Sequence, residues 1–83
     1  MMGDDTFHLV ITSVAGASFD GEARSVTLPG SEGVMTILAN HEPFISTLSA
    51  GTAVVKDDTG AESSYAVDGG VIECAGNRVT VLL

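Results

Sequence analysis

Basic residues are nearly missing from this chain. Lys56, Arg24 and Arg78 are the only three, against eleven Asp and Glu, for a net charge of −8. Nucleic-acid binding needs a cationic footprint that displaces counterions, and that class is excluded. Direct adsorption to an anionic membrane is disfavoured for the same reason. A basic protein surface suits the chain better, because opposite charge steers encounter. Cysteine is represented only by Cys74, so no internal disulfide can form. No apolar run approaches the length of a membrane-spanning helix. The opening MMGDDTF has neither a basic n-region nor a long apolar stretch, so it does not read as a signal peptide. These absences together suggest a cytosolic chain.

Long stretches of strong helix formers are also absent, while ten glycines are spread along 83 residues. What is present is apolar enough to fold. Hydrophobic residues make up 45% and charged ones 17%, which separates the chain from disordered segments. Its length implies one domain, residues 1–83, with a thin core. Phe7, Leu9 and Ile11 alternate with His8, Val10 and Thr12, the period of a half-buried strand. Asp20-Gly21 reads as a turn, and Ala23 to Leu28 as a strand ending at Pro29-Gly30. Val34 to Leu38 and Phe44 to Leu48 are short apolar runs. Thr52 to Lys56 and Ser63 to Val67 flank a hairpin turn at Asp57 to Glu62, where Gly60 can take positive φ. Asp68-Gly69-Gly70 reads as a break. Val71 to Cys74 and Arg78 to Leu83 then flank a second hairpin turn at Ala75-Gly76-Asn77. Strands this short, with turns this regular, predict an antiparallel sandwich or barrel.

Chemistry-bearing residues are few. His8, His41 and Cys74 are the only soft ligands, and none of the paired spacings of a zinc site occurs. A Cys74–His41 dyad is conceivable, but no orienting group is visible to activate the thiol, so Cys74 is expected to be a small core residue. His8 is expected on the polar face of its strand, solvated or locally bonded. Gly30-Ser31-Glu32-Gly33 lacks the length and ending of a phosphate-binding loop, and Glu32 would repel phosphate. Gly69-Gly70 is no dinucleotide fingerprint. No cofactor and no metal are expected. The stretch Leu28 to Pro43, LPGSEGVMTILANHEP, combines turn chemistry with a lone histidine and reads as a surface loop built to meet a partner. Ser31, Glu32 and His41 would be its polar contacts, with Val34, Met35 and Ile37 either core or an apolar patch.

Three segments in order, FHLVITSVAGASFDG, VTLPGSEGVMTILANHEPFISTLSAG and YAVDGGVIECAGNRVTVLL, carry a resemblance. They are similar to the N-terminal domain of the epsilon subunit of F-type ATP synthases. The resemblance implies an all-β fold, a flattened antiparallel β-sandwich of about ten short strands. It also implies a non-catalytic central-stalk subunit that couples the gamma subunit to the membrane c-ring. The location implied is the cytoplasmic face of the membrane, reached only through the ring. By position, Ser31, Glu32, Gly33 and Val34 match the family loop facing the c-ring, and His41 matches the histidine near the gamma contact. Val34 stands where the family is often acidic or polar, so Glu32 is the better candidate for an ion pair with a ring arginine. Ala39-Asn40 replaces a Pro-Gly, and Asn40 can still accept positive φ. Longer members continue into a helical hairpin that inhibits hydrolysis and can bind ATP. If Leu83 is a natural terminus, those activities are expected to be missing. The alternative is a free-standing β-sandwich module that binds a protein or small ligand.

Overall fold

The computed structural model describes residues 5–40 and 42–83. Among the described residues there are six strands and no helix. They are β1 (Phe7–Ser13), β2 (Gly16–Gly30), β3 (Gly33–Leu38), β4 (Phe44–Asp57), β5 (Glu62–Ala75) and β6 (Arg78–Leu82). Their order in the sheet is β1-β6-β5-β4-β2-β3, and β1 pairs with β2 as well as with β6. Five strands thus close into a barrel-like ring, and β3 lies outside it, paired only with β2. The body is elongated rather than flattened, with principal extents of 37 × 23 × 20 Å.

The strand count of six, not ten, has a physical cause. β2, β4 and β5 are 15, 14 and 14 residues long, and each serves both layers of the domain. Along β4 the buried side chains are Leu48 and then Ala53 and Val55. Along β5 they are Val67 and then Ile72 and Cys74. Along β2 they are Ala23 and then Val26 and Leu28. In each strand the inward parity changes partway, which happens when a strand turns a corner and presents its other side to the core. The β2 corner coincides with a register shift against β4 between Ala23 and Ser25. In β5 the corner falls at Gly69-Gly70, both at positive φ (102° and 139°). There a Cβ on Gly70 would strike the carbonyl oxygen of Leu82 in β6. Two breaks expected from the sequence are therefore continuous chain. Asp20-Gly21 lies inside β2, paired with Val10 and Leu9, and Asp68-Gly69-Gly70 lies inside β5. Counting the halves of the bent strands separately recovers most of the ten.

The sheet is also not wholly antiparallel. β1 and β6 run parallel, with His8 opposite Arg78 and Ile11 opposite Val81. Nearly the whole chain separates these strands, so no short crossover is required. The core fills as the alternation of β1 predicts. Phe7, Leu9 and Ile11 are buried with Val79 and Val81 of β6 and with Leu28, Ile37 and Ile72. The hairpins at Asp57–Glu62 and at Gly76-Asn77 form as expected, with Gly60 and Gly76 at φ 90° and 60°.

Candidate functional site

Residues 29–38 make a structured arm rather than an open loop. β2 and β3 pair from Ser25↔Leu38 to Gly30↔Gly33, so the turn itself is only Ser31 and Glu32. Neither takes positive φ; Gly33 does, at 135°. A two-residue hairpin favours turns whose twist matches the strands, and here glycine at Gly33 absorbs the mismatch. The start of the arm is equally restricted, because a Cβ on Gly30 would lie 2.6 Å from the Gly33 carbonyl oxygen.

The tip is tied to β4. The Ser31 backbone N–H donates to the Thr47 carbonyl at 3.1 Å, and the two hydroxyls meet at 2.6 Å. Ser49 Oγ donates to the carbonyls of Pro29 and Gly30 at 3.3 and 3.2 Å. Ser31, expected as a contact residue, is thus held by its own chain, although it stays exposed. Glu32 and Gly33 are exposed beside it, and Val34 is an exposed apolar side chain at 77%. The structure therefore brings Ser31, Glu32, Gly33 and Val34 together on one short, fixed tip. His41 lies outside the described residues. Its neighbour Asn40 takes φ 62°, the positive value that the sequence resemblance implies for this turn. Asn40 N–H donates to Asn77 Oδ1 at 2.8 Å, and Asn77 Nδ2 donates to the Thr6 carbonyl. The Asn77 carbonyl in turn accepts from His8 N–H at 3.0 Å. Thr47 and Ser49 carry no sequence signal beyond polarity, and Asn77 is legible only as a turn residue, since the partners of all three are far away in the chain.

A second surface lies on the outer side of β4, β5, β6 and β1. Register places Thr47, Val71, Leu82 and Thr12 in one row across it. Ile45, Glu73, Thr80 and Val10 form the next row. Ile45 and Leu82 are 71% and 51% exposed, so the face carries an apolar strip among polar neighbours. At its far side His8 sits between two carboxylates, with Nε2 2.8 Å from Asp20 and Nδ1 3.3 Å from Glu22. This is the locally bonded histidine that the strand pattern suggests.

Cys74 is buried, as expected, and burial pushes its thiol above the ordinary value of 9.0, away from a reactive thiolate. An open groove of about 380 Å³ passes over it, lined by Pro43, Phe44, Ile45, Glu73, Cys74 and Ala75. Among the described residues that line it, Glu73 is the one charged side chain. Among the described residues no cluster of three or more His, Cys, Asp or Glu is placed to hold a metal ion.

Residues 6–83 match the family model described as ATP synthase, Delta/Epsilon chain, beta-sandwich domain. An ATP synthase epsilon chain of Bordetella avium is 42% identical over 78 residues, covering 93% of this chain and 55% of that protein. ATP synthase epsilon chain 1 of Methylococcus capsulatus is 40% identical over 77 residues, with the same two coverages. The chain thus spans about half the length of the curated relatives it matches. A chain in the Euglena gracilis mitochondrial ATP synthase assembly of OSCP, F1 and c-ring superposes with a TM-score of 0.87. The identity is 23%, and the match covers 99% of this chain and 55% of that one. A chain in the central stalk and c-ring structure of Tetrahymena thermophila mitochondrial ATP synthase gives 0.75 at 11% identity, covering 90% and 60%. These two are likenesses of fold. Because the family match runs over nearly the whole sequence, the chain belongs to the ATP synthase delta/epsilon chain β-sandwich domain family.

Proposed function

We propose that this chain is a non-catalytic rotor subunit of an F-type ATP synthase, joining the gamma subunit to the membrane c-ring at the cytoplasmic face. The observation that carries the proposal is the fixed tip of the β2–β3 arm, where Ser31 is tied to Thr47 and Glu32 and Val34 face outward. A coupling element must transmit torque without yielding, and a contact on a pinned two-residue turn yields less than one on a free loop. Glu32 is the charged contact to a basic ring loop, Val34 an apolar one, and Ser31 and Gly33 set the shape of the turn. His41 keeps its place in this reading on the sequence resemblance alone.

The gamma subunit takes the outer face of β4, β5 and β6, where the strip of Ile45, Val71 and Leu82 supplies apolar area. A stable stalk interface of standard size, about 1,600 Å² in total, is expected there. Membrane attachment is peripheral and indirect, through the ring. The test is coupling. In a reconstituted enzyme containing this chain, ATP hydrolysis should drive proton pumping, and charge reversal at Glu32 should lower the protons moved per ATP. Pumping that is unchanged by Glu32→Lys, or by leaving the chain out, would refute the assignment.

A further inference from the structure

The unpaired edge of β3 carries a second consequence. Pro29 has no N–H to donate, which fits its place opposite Val34 as a non-hydrogen-bonded pair. The alternation of an antiparallel ladder then turns the backbone N–H and C=O of Val34, Thr36 and Leu38 away from β2. No strand pairs with β3 on that side among the described residues. Natural edges are commonly protected by charge, proline or a bulge. β2 carries Asp20 and Glu22 along its first half, where β1 is its only strand partner among the described residues, and β5 opens with Glu62. β3, Gly33-Val34-Met35-Thr36-Ile37-Leu38, has none of these protections and a regular register. It is a charge-free window in a chain of net charge −8.

We propose that β3 is a self-pairing edge, on which two copies of this chain associate as an antiparallel β3–β3 pair. The strand is self-complementary about Thr36. A two-fold axis there places Thr36 opposite Thr36 of the second copy and Val34 opposite Leu38, matching exposed apolar side chains on one face. Each of those pairs is of the hydrogen-bonded kind, giving about six bonds across the junction. The same register puts Glu32 opposite Asn40, so no carboxylates face one another. The remaining opposition is the overall negative charge of both copies, which salt screens. Where the ring contact proposed above uses Val34, self-pairing and ring docking exclude each other, so the paired form is an unassembled one. That last point rests on the proposed function, whereas the pairing itself does not.

The test uses the 83-residue chain alone and is independent of any ring or gamma binding. Sedimentation should show a monomer–dimer equilibrium that shifts toward dimer as protein concentration and salt rise. Amide exchange at Val34, Thr36 and Leu38 should slow with concentration, while Met35 and Ile37, bonded to β2, stay unchanged. Thr36→Lys should weaken association by roughly tenfold, since it places like charges opposite. Thr36→Pro should abolish association while keeping the β2–β3 ladder, because the N–H it removes points outward. A chain that stays monomeric at every salt and concentration would overturn the proposal. So would a dimer that both variants, still folded by amide spectra, leave intact. Monomeric protein whose edge amides respond instead to a lysine-flanked Val-Thr peptide would assign the edge to a basic partner strand and equally overturn self-pairing.

Discussion

Ser31 and Thr47 meet hydroxyl to hydroxyl at 2.6 Å, and Ser31 N–H also reaches the Thr47 carbonyl. These two bonds fix the tip of the β2–β3 arm against β4. Thr47→Val removes the hydroxyl bond and leaves the backbone bond in place. The expected cost is about 1 kcal/mol in denaturant unfolding. Exchange of the Ser31 and Glu32 amides should quicken more than that of the core strands. An unaltered exchange rate at the tip would mean that the side-chain bond does not restrain it.

Glu32→Lys together with His41→Ala should weaken assembly with the c-ring and leave the isolated fold intact. Glu32 is exposed and makes no contribution to the core. The check is a pair of measurements on the same variant, its melting curve and its retention by purified rings. Lost retention with an unchanged melt supports the contact role.

Asn77 joins the Asn40 turn to the start of β1 through two side-chain bonds. Asn77→Ala should cost about 2 kcal/mol, because both bonds lose their partner. Asn40→Gly should be tolerated, while Asn40→Val should cost about 1–2 kcal/mol from its positive φ alone. Thermal melts of the three variants check the order.

Gly70→Ala should destabilise the domain by at least about 2 kcal/mol. Its φ of 139° disfavours any side chain, and the added Cβ would collide with the Leu82 carbonyl. Gly33→Ala meets only the backbone strain, since nothing lies within 4 Å of its Cβ position, and should cost less.

Two titrations shape the pH dependence. Burial raises the Cys74 thiol above 9.0, so its contribution to stability is complete below that value. It declines as pH rises further, because the unfolded chain ionises first. Cys74→Val should flatten that alkaline slope. At the acid end, the Thr59 hydroxyl bonded to Asp57 holds the carboxyl below 3.8, helped by the backbone N–H groups of Thr59, Gly60 and Ala61. That contribution is present above 3.8 and is lost as pH falls through the lower folded value. Thr59→Ala should reduce this acid loss. Unfolding free energy followed against pH tests both.

The alternation of Phe7, Leu9 and Ile11 is legible in the sequence because one strand faces one core. β2, β4 and β5 are harder to read, since each changes its inward parity at a corner and resembles two strands. Gly69-Gly70 looks like a break for the same reason that it makes a good bend. The tip residues Ser31 to Val34 are recognisable from turn chemistry and family likeness. Their anchors Thr47 and Ser49 are not, because hydroxyl partners sixteen or more residues apart leave no local pattern. The parallel pairing of β1 with β6 is equally invisible, being set by closure of the ring rather than by either strand.

The rotor assignment is tested most directly by native mass measurement of this chain mixed with the gamma subunit from the same source. A stable one-to-one complex is predicted, and Ile45→Asp or Leu82→Asp on the outer face should abolish it while the monomer stays folded. Absence of any complex with gamma, or a complex indifferent to both substitutions, would contradict the assignment of that face to the central stalk.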